Sequence, residues 1–221
     1  MERAQQHIRH DIPKDAVLLS KYEALNHQTK FYRNWKPQSD VWPLLYGRPI
    51  LATAAACTGF YINLRFRKKL RLRDYGWLPT IVSLTAVPTA MTGLFYSEFV
   101  LNKLLLLEVR CPLCLEIRSV LSQIFTGVFC PLMLVPIANF SMAHTSGTFN
   151  VPLITDVKKT LKIVSSVYQP MLPTLATIFT LHVLLAGFIT HSQIKSLLHI
   201  LDVQYYIEEE QKNEKHAPNN L

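Results

Sequence analysis

Between Gly76 and Ser97 the chain has no Asp, Glu, Lys or Arg. A helix at the surface of a soluble protein repeats a polar residue every three or four positions, so an uninterrupted run of this length excludes that arrangement and fits a bilayer. Other shortages narrow the reading further. The first forty residues contain no apolar segment of the kind a secretory signal needs. The acidic Glu2, Asp11 and Asp15 among Arg3, Arg9 and Lys14 argue against a cleavable, Arg-rich mitochondrial presequence. There is no glycine-rich phosphate loop, no Ser-His-Asp arrangement and no internal repeat. Acid is scarcer than base, with 15 Asp and Glu against 23 Lys and Arg, for a net charge of +8. Nucleic acid is nevertheless a poor fit. The densest basic run, Arg65, Arg67, Lys68, Lys69, Arg71 and Arg73, lies between two apolar segments, where a membrane-flanking loop explains it better than a soluble face with aromatic readers.

What the 221 residues do have is apolar mass: 49% are hydrophobic and the mean hydropathy is +0.16. That exceeds the need of a soluble core. Stretches free of charge alternate with short Arg and Lys clusters, which predicts four spans at about 44–64, 76–96, 120–140 and 171–190. Arg48 falls near an end of the first and can extend its guanidinium to the interface. Pro88 in the second, Pro131 and Pro136 in the third and Pro173 at the start of the fourth each remove a backbone donor.

The fold class is therefore all-α: a polytopic membrane protein with about four transmembrane helices and amphipathic flanking helices. Residues 1–41 read as an exposed, partly ordered N-terminal region. It has one short amphipathic helix around 15–25, ended by the polar Asn26-His27-Gln28-Thr29-Lys30. Phe31, Tyr32, Trp35, Trp42 and Pro43 form an expected interfacial anchor. Residues 42–203 form the membrane domain, closing with an amphipathic helix over 191–203 that lies on the membrane or a partner. Residues 204–221 are a charged, flexible tail. Both basic loops, that after the first span and that bearing Lys158, Lys159 and Lys162, fall on one side. The other side balances Lys103, Arg110 and Arg118 with Glu98, Glu108 and Glu116, so the positive-inside rule puts both termini outside.

Three features carry chemistry. Cys111-Pro112-Leu113-Cys114, between the second and third spans, has the spacing of a redox-active pair at a helix start, where the dipole favours a thiolate. It resembles the quinone-linked thiol oxidases and the vitamin K epoxide reductase group. Those enzymes relay electrons through a second pair, however, and here only Cys57 and Cys130 remain, both inside spans. A structural disulfide, unlinked thiols, a redox relay and a metal site all stay open, though zinc would need four ligands. His182 is an ionisable residue midway along the fourth span, either a functional group or a neutral imidazole bonded across the bundle. Ala52, Ala55, Ala56 and Gly59 recur at three- and four-residue spacing, allowing close approach of a helix from this chain or from a partner.

An ordered set of features resembles the transmembrane protein 126 family. The set comprises Arg65-Phe66-Arg67, Pro88, Cys111 and Cys114 followed by Ile117-Arg118-Ser119, then Pro131, Leu134-Val135-Pro136 and Asn139. Gln169-Pro170-Met171-Leu172-Pro173 extends it, to about residue 203, leaving the first forty residues and the acidic tail outside. The resemblance implies a multi-pass protein of the mitochondrial inner membrane, with no cofactor and no catalytic centre. It would be an assembly factor for respiratory complex I, whose partners are membrane-arm subunits and other assembly factors. A membrane thiol oxidoreductase using Cys111 and Cys114 is the alternative.

Overall fold

A computed structural model describes residues 20–72, 75–109, 111–146 and 157–216. Among them every regular element is helical. The first, α1, covers Lys21–Asn34 and begins with a capping box: the Ser20 amide donates to the Glu23 carboxylate at 2.8 Å, and the Glu23 amide donates to the Ser20 hydroxyl. Hydrogen bonds to the carboxylate from the Ser20 amide and then from the Ser20 side chain hold the Glu23 carboxyl below its ordinary value. The sequence expectation of a helix around 15–25 is corrected here. Residues 15–19 lie outside the described residues, and the polar Asn26–Lys30 stretch continues the helix, because Tyr32 beyond it is buried in the core with Phe31 and Trp35 packed alongside. Tyr32 and Pro43 are thus buried in the protein, and burial pushes the Tyr32 phenol up.

Helix α2, Trp42–Lys69, contains the first expected span and runs on through most of the basic stretch. Arg65, Arg67, Lys68 and Lys69 therefore sit on a helix, not in a loop; Arg71 follows in a left-handed turn (φ 53°) and Arg73 lies outside the described residues. Arg67 faces inward. Its guanidinium donates to the Tyr75 carbonyl at 2.9 Å, the Gly76 carbonyl at 3.3 Å and the Thr80 hydroxyl at 2.9 Å, so it binds the turn between α2 and α3.

Helix α3 spans Trp77–Leu105, past the expected end at Tyr96, through a π turn at Ser97–Leu101. Helix α4 starts at Pro112, earlier than expected, and passes from Pro112–Ile124 through a π turn at Phe125–Phe129 into Cys130–Ser146. In that turn the Cys130 amide reaches back to the Phe125 carbonyl, next to Pro131, whose ring removes the following donor. After α5, Val157–Tyr168, and a 3₁₀ turn at Gln169–Met171, helix α6 runs unbroken from Leu172 to His216. The fourth span, the amphipathic 191–203 segment and the charged tail up to His216 are one helix. Between Gly187 and His216 no proline or glycine interrupts it.

Among the described residues three helices are long and apolar enough to cross a membrane: Trp77–Leu105, Pro112–Thr145 and Lys158–Gln211. Helix α2 is equally long, about 42 Å at 1.5 Å per residue, but more polar, and it is the element that touches α3, α4 and α6 together. Its ends reach two separate clusters. Leu44 and Leu51 pack with Leu104, Leu115 and Leu197, whereas Ile62 and Phe66 pack with Val135, Val167 and Met171. It therefore traverses the bundle from one end to the other, shielded by neighbours that carry the apolar faces.

The prolines shape this packing. Pro88 has no N–H to give the Leu84 carbonyl, and a Cβ at Gly59 would stand 2.4 Å from that oxygen. Glycine's second α-hydrogen points at it instead. Likewise Pro136 leaves the Leu132 carbonyl without its helical donor, and the Tyr168 hydroxyl supplies one at 2.7 Å. The small residues of α2 serve these internal contacts: Ala52, Ala55 and Gly59 are buried and Ala56 is half-buried.

Candidate functional site

His182 lies on α6 in the middle of the bundle, 3% exposed. The Gln123 side-chain nitrogen on α4 stands 3.1 Å from the Leu51 carbonyl and 2.9 Å from His182 Nδ1. A carbonyl only accepts, so the group facing it is the amide NH₂, and its second hydrogen goes to Nδ1. That assignment leaves the proton on Nε2, which donates to Thr58 Oγ1 at 2.9 Å, and Thr58 in turn donates to the Ala54 carbonyl at 3.1 Å. Both ring nitrogens are used, and the imidazole is neutral. Gly127, in the π turn of α4, makes room: a Cβ there would meet His182 Cε1 at 2.8 Å and Gln123 Nε2 at 3.0 Å.

Further polar pairs lie above and below this layer. Tyr96 donates to Gln193 Oε1 at 2.6 Å, and Gln193 donates to the Pro43 carbonyl at 2.9 Å. Thr190 donates to Ser119 at 2.7 Å and Thr92 to Thr126 at 2.9 Å. Toward the other end, Asn139 donates to Asn63 at 2.8 Å. Ser196 donates to the Asp40 carbonyl, so α6 clasps the turn that leads into α2. Such bonds between helices average roughly 0.6 kcal/mol each and reach about 1.7 kcal/mol. Their value is in fixing register. Apart from His182, none of these residues stands out in the sequence as a polar contact, Ser119 and Asn139 appearing there only within the family resemblance: a search of apolar runs for ionisable groups passes over Thr, Ser, Asn and Gln.

Cys111 is the N-cap of α4, and its sulfur accepts from the Cys114 amide at 3.4 Å. Cys114 is thus in the first helical turn, not in the loop. Both thiols are free. Hydrogen bonds from the Cys114 thiol and then from its amide hold the Cys111 thiol below the usual range. The structure does not bring the other two cysteines to them: Cys57 is on α2, and Cys130, on α4, lies 3.7 Å from the Met91 sulfur. Among the described residues no three His, Cys, Asp or Glu side chains converge on a common point.

Helices of this length and apolarity, joined by hydrogen bonds inside the bundle and carrying bare Leu, Phe and Met side chains on its outside, define a multi-pass α-helical membrane protein. The family model described as Transmembrane protein 126 matches residues 23–204. A Drosophila melanogaster protein named Transmembrane protein 126 is 34% identical over 206 residues, covering 90% of this chain and 92% of that protein. The chain belongs to the Transmembrane protein 126 family. The family match takes in α1, so the expectation that the first forty residues fall outside it is corrected; its end at residue 204 agrees with the sequence reading. No solved structure matches the chain.

Proposed function

We propose that this chain is a non-enzymatic membrane scaffold that helps assemble respiratory complex I in the mitochondrial inner membrane. Its partners in this reading are membrane-arm subunits and other assembly factors, and its termini face the intermembrane space. Family membership supports the setting. The observation that carries a holding role is how His182 is used. The one histidine deep in the spans spends both nitrogens on Gln123 and Thr58, and the ring serves the bundle. The outward faces of α3 and α4, by contrast, present Leu94, Leu121, Met133 and Ile137 to the surroundings, as a surface for lipid or apolar subunits requires.

Deleting the gene and resolving respiratory complexes on a native gel tests the reading. Reduced complex I with stalled membrane-arm intermediates is expected, and normal complex I without intermediates would refute it. Re-expressing the Cys111→Ser/Cys114→Ser double variant separates it from a thiol oxidoreductase. Serine is a strong N-cap residue, so α4 keeps its start. The scaffold reading expects full rescue; the redox reading expects none.

A further inference from the structure

Arg65, Lys68 and Lys69 fall three and four positions apart on α2, so their exposed side chains share a helix face near its end. That face meets Ser166, Val167, Pro170 and Met171, and between them lies a cavity of about 320 Å³ with no carboxylate in its wall among the described residues. The Arg65 guanidinium carbon sits 5.4 Å from the centre of the Tyr61 ring, which fixes its direction. Among the described residues none of the three cations has an ion-pair partner. Lys162, one turn before Ser166 on α5, adds a further positive charge to the same side. Like charges gathered in this way repel one another unless an anion joins them.

Tyr61 and Thr174 also line a second cavity, about 590 Å³, which continues along the groove between α2 and α6 past Cys57, Ile178 and Leu181 to Leu185. Its wall is mostly hydrocarbon. From Lys68 to Ala54 is about 21 Å of helix, and from Pro170 to Leu185 about 22 Å. One leaflet with its headgroups is about the same depth, half of roughly 40–45 Å. The cations thus stand where lipid phosphates lie, and the apolar groove descends as far as an acyl chain does.

We propose that this composite groove is a binding site for one acidic phospholipid, its phosphate held by Arg65, Lys68 and Lys69 and one acyl chain lying between α2 and α6. Neither half selects such a molecule alone. A soluble anion has no use for the lower cavity, and a zwitterionic lipid brings no net charge to match the cations. A lipid there fills the lateral gap beside Thr58 and His182 and fastens α6 to α2 from outside.

The test uses the full chain in nanodiscs of phosphatidylcholine with a minority of phosphatidylglycerol, followed by native mass spectrometry of the lipids it retains. One phosphatidylglycerol per chain is expected, preferred over phosphatidylcholine on the order of 100-fold, the worth of three cations near a surface. Arg65→Gln/Lys68→Gln/Lys69→Gln should abolish the preference. Cys57→Phe, which blocks the tail groove and leaves the cations untouched, should lower retention at least about tenfold. Equal retention of both lipids by the unaltered chain, or unchanged retention in either variant, overturns the proposal. So does inorganic phosphate raising the melting temperature of lipid-free protein in detergent as much as phosphatidylglycerol does, since the site would then bind the anion without the chain.

Discussion

Gly59 and Gly93 are both glycines within helices, yet their surroundings give them opposite values. At Gly59 an added methyl group would meet the Leu84 carbonyl oxygen at 2.4 Å, and that oxygen is backbone, held by its own helix. It cannot yield as a side chain does, so Gly59→Ala must push α2 away from α3 along their contact. A loss of about 2–3 kcal/mol is expected, in the range of overpacked cores. At Gly93 the same methyl group meets nothing within 4 Å. Gly93→Ala gains the helix propensity that glycine lacks, about 1 kcal/mol. Thermal melts of the two variants in one detergent should therefore shift in opposite directions. Matching gains would mean that the α2–α3 contact is looser than described. Of this close approach the sequence displays only the small-residue spacing around Gly59. That Pro88 exposes the carbonyl on which Gly59 rests depends on two helices meeting, and no local pattern records it.

At the scale of elements, apolar runs locate the spans well and their ends poorly. The second span appears as an uncharged run, but α3 continues beyond it because the π turn at Ser97–Leu101 keeps the backbone bonded while Val100 and Leu104 stay buried. The basic stretch after the first span reads as a loop because charge marks an interface, whereas Phe66 buried among it draws the helix onward. His182 is legible as an ionisable residue in a span; Thr58 and Gln123, its partners, are neutral and lie 124 and 59 positions away. The prolines are legible too, but not the groups that compensate for them. Tyr168 on α5 supplies the donor that Pro136 denies to the Leu132 carbonyl. Tyr168→Phe should then cost about 1–3 kcal/mol, the penalty for a partly buried acceptor left alone. In a Pro136→Ala background the residue 136 amide can reach Leu132, and the same Tyr168→Phe change should cost less than about 0.5 kcal/mol. Equal costs in both backgrounds, measured by denaturation in detergent, would show that the hydroxyl does not stand in for the missing amide.

For the molecule as a whole, the course of α2 sets the topology, for this helix is long enough to cross a bilayer but more polar than the three helices around it. Its start lies beside α6, through Gln193 on the Pro43 carbonyl and Ser196 on the Asp40 carbonyl, and its end lies beside Met171 at the opposite end of α6. About 32 Å of helix separates Gln193 from Leu172, the thickness of a hydrocarbon core. An α2 that joins both points must cross with α6, and four crossings put residues before α2 on the same side as the C-terminal end of α6. Single cysteines at Ser39, Arg71 and Gln211, in a chain whose four native cysteines are replaced, can report this through a membrane-impermeant maleimide applied to sealed, oriented vesicles. Ser39→Cys and Gln211→Cys should be labelled from one side and Arg71→Cys from the other. Under the proposed placement in the mitochondrial inner membrane, the positive-inside rule assigns the first pair to the face exposed when the outer membrane is stripped and Arg71→Cys to the matrix. Labelling of Ser39→Cys together with Arg71→Cys would mean that α2 turns back before crossing. The polar pairs along it would then face water, and the groove proposed between α2 and α6 would lie outside the bilayer.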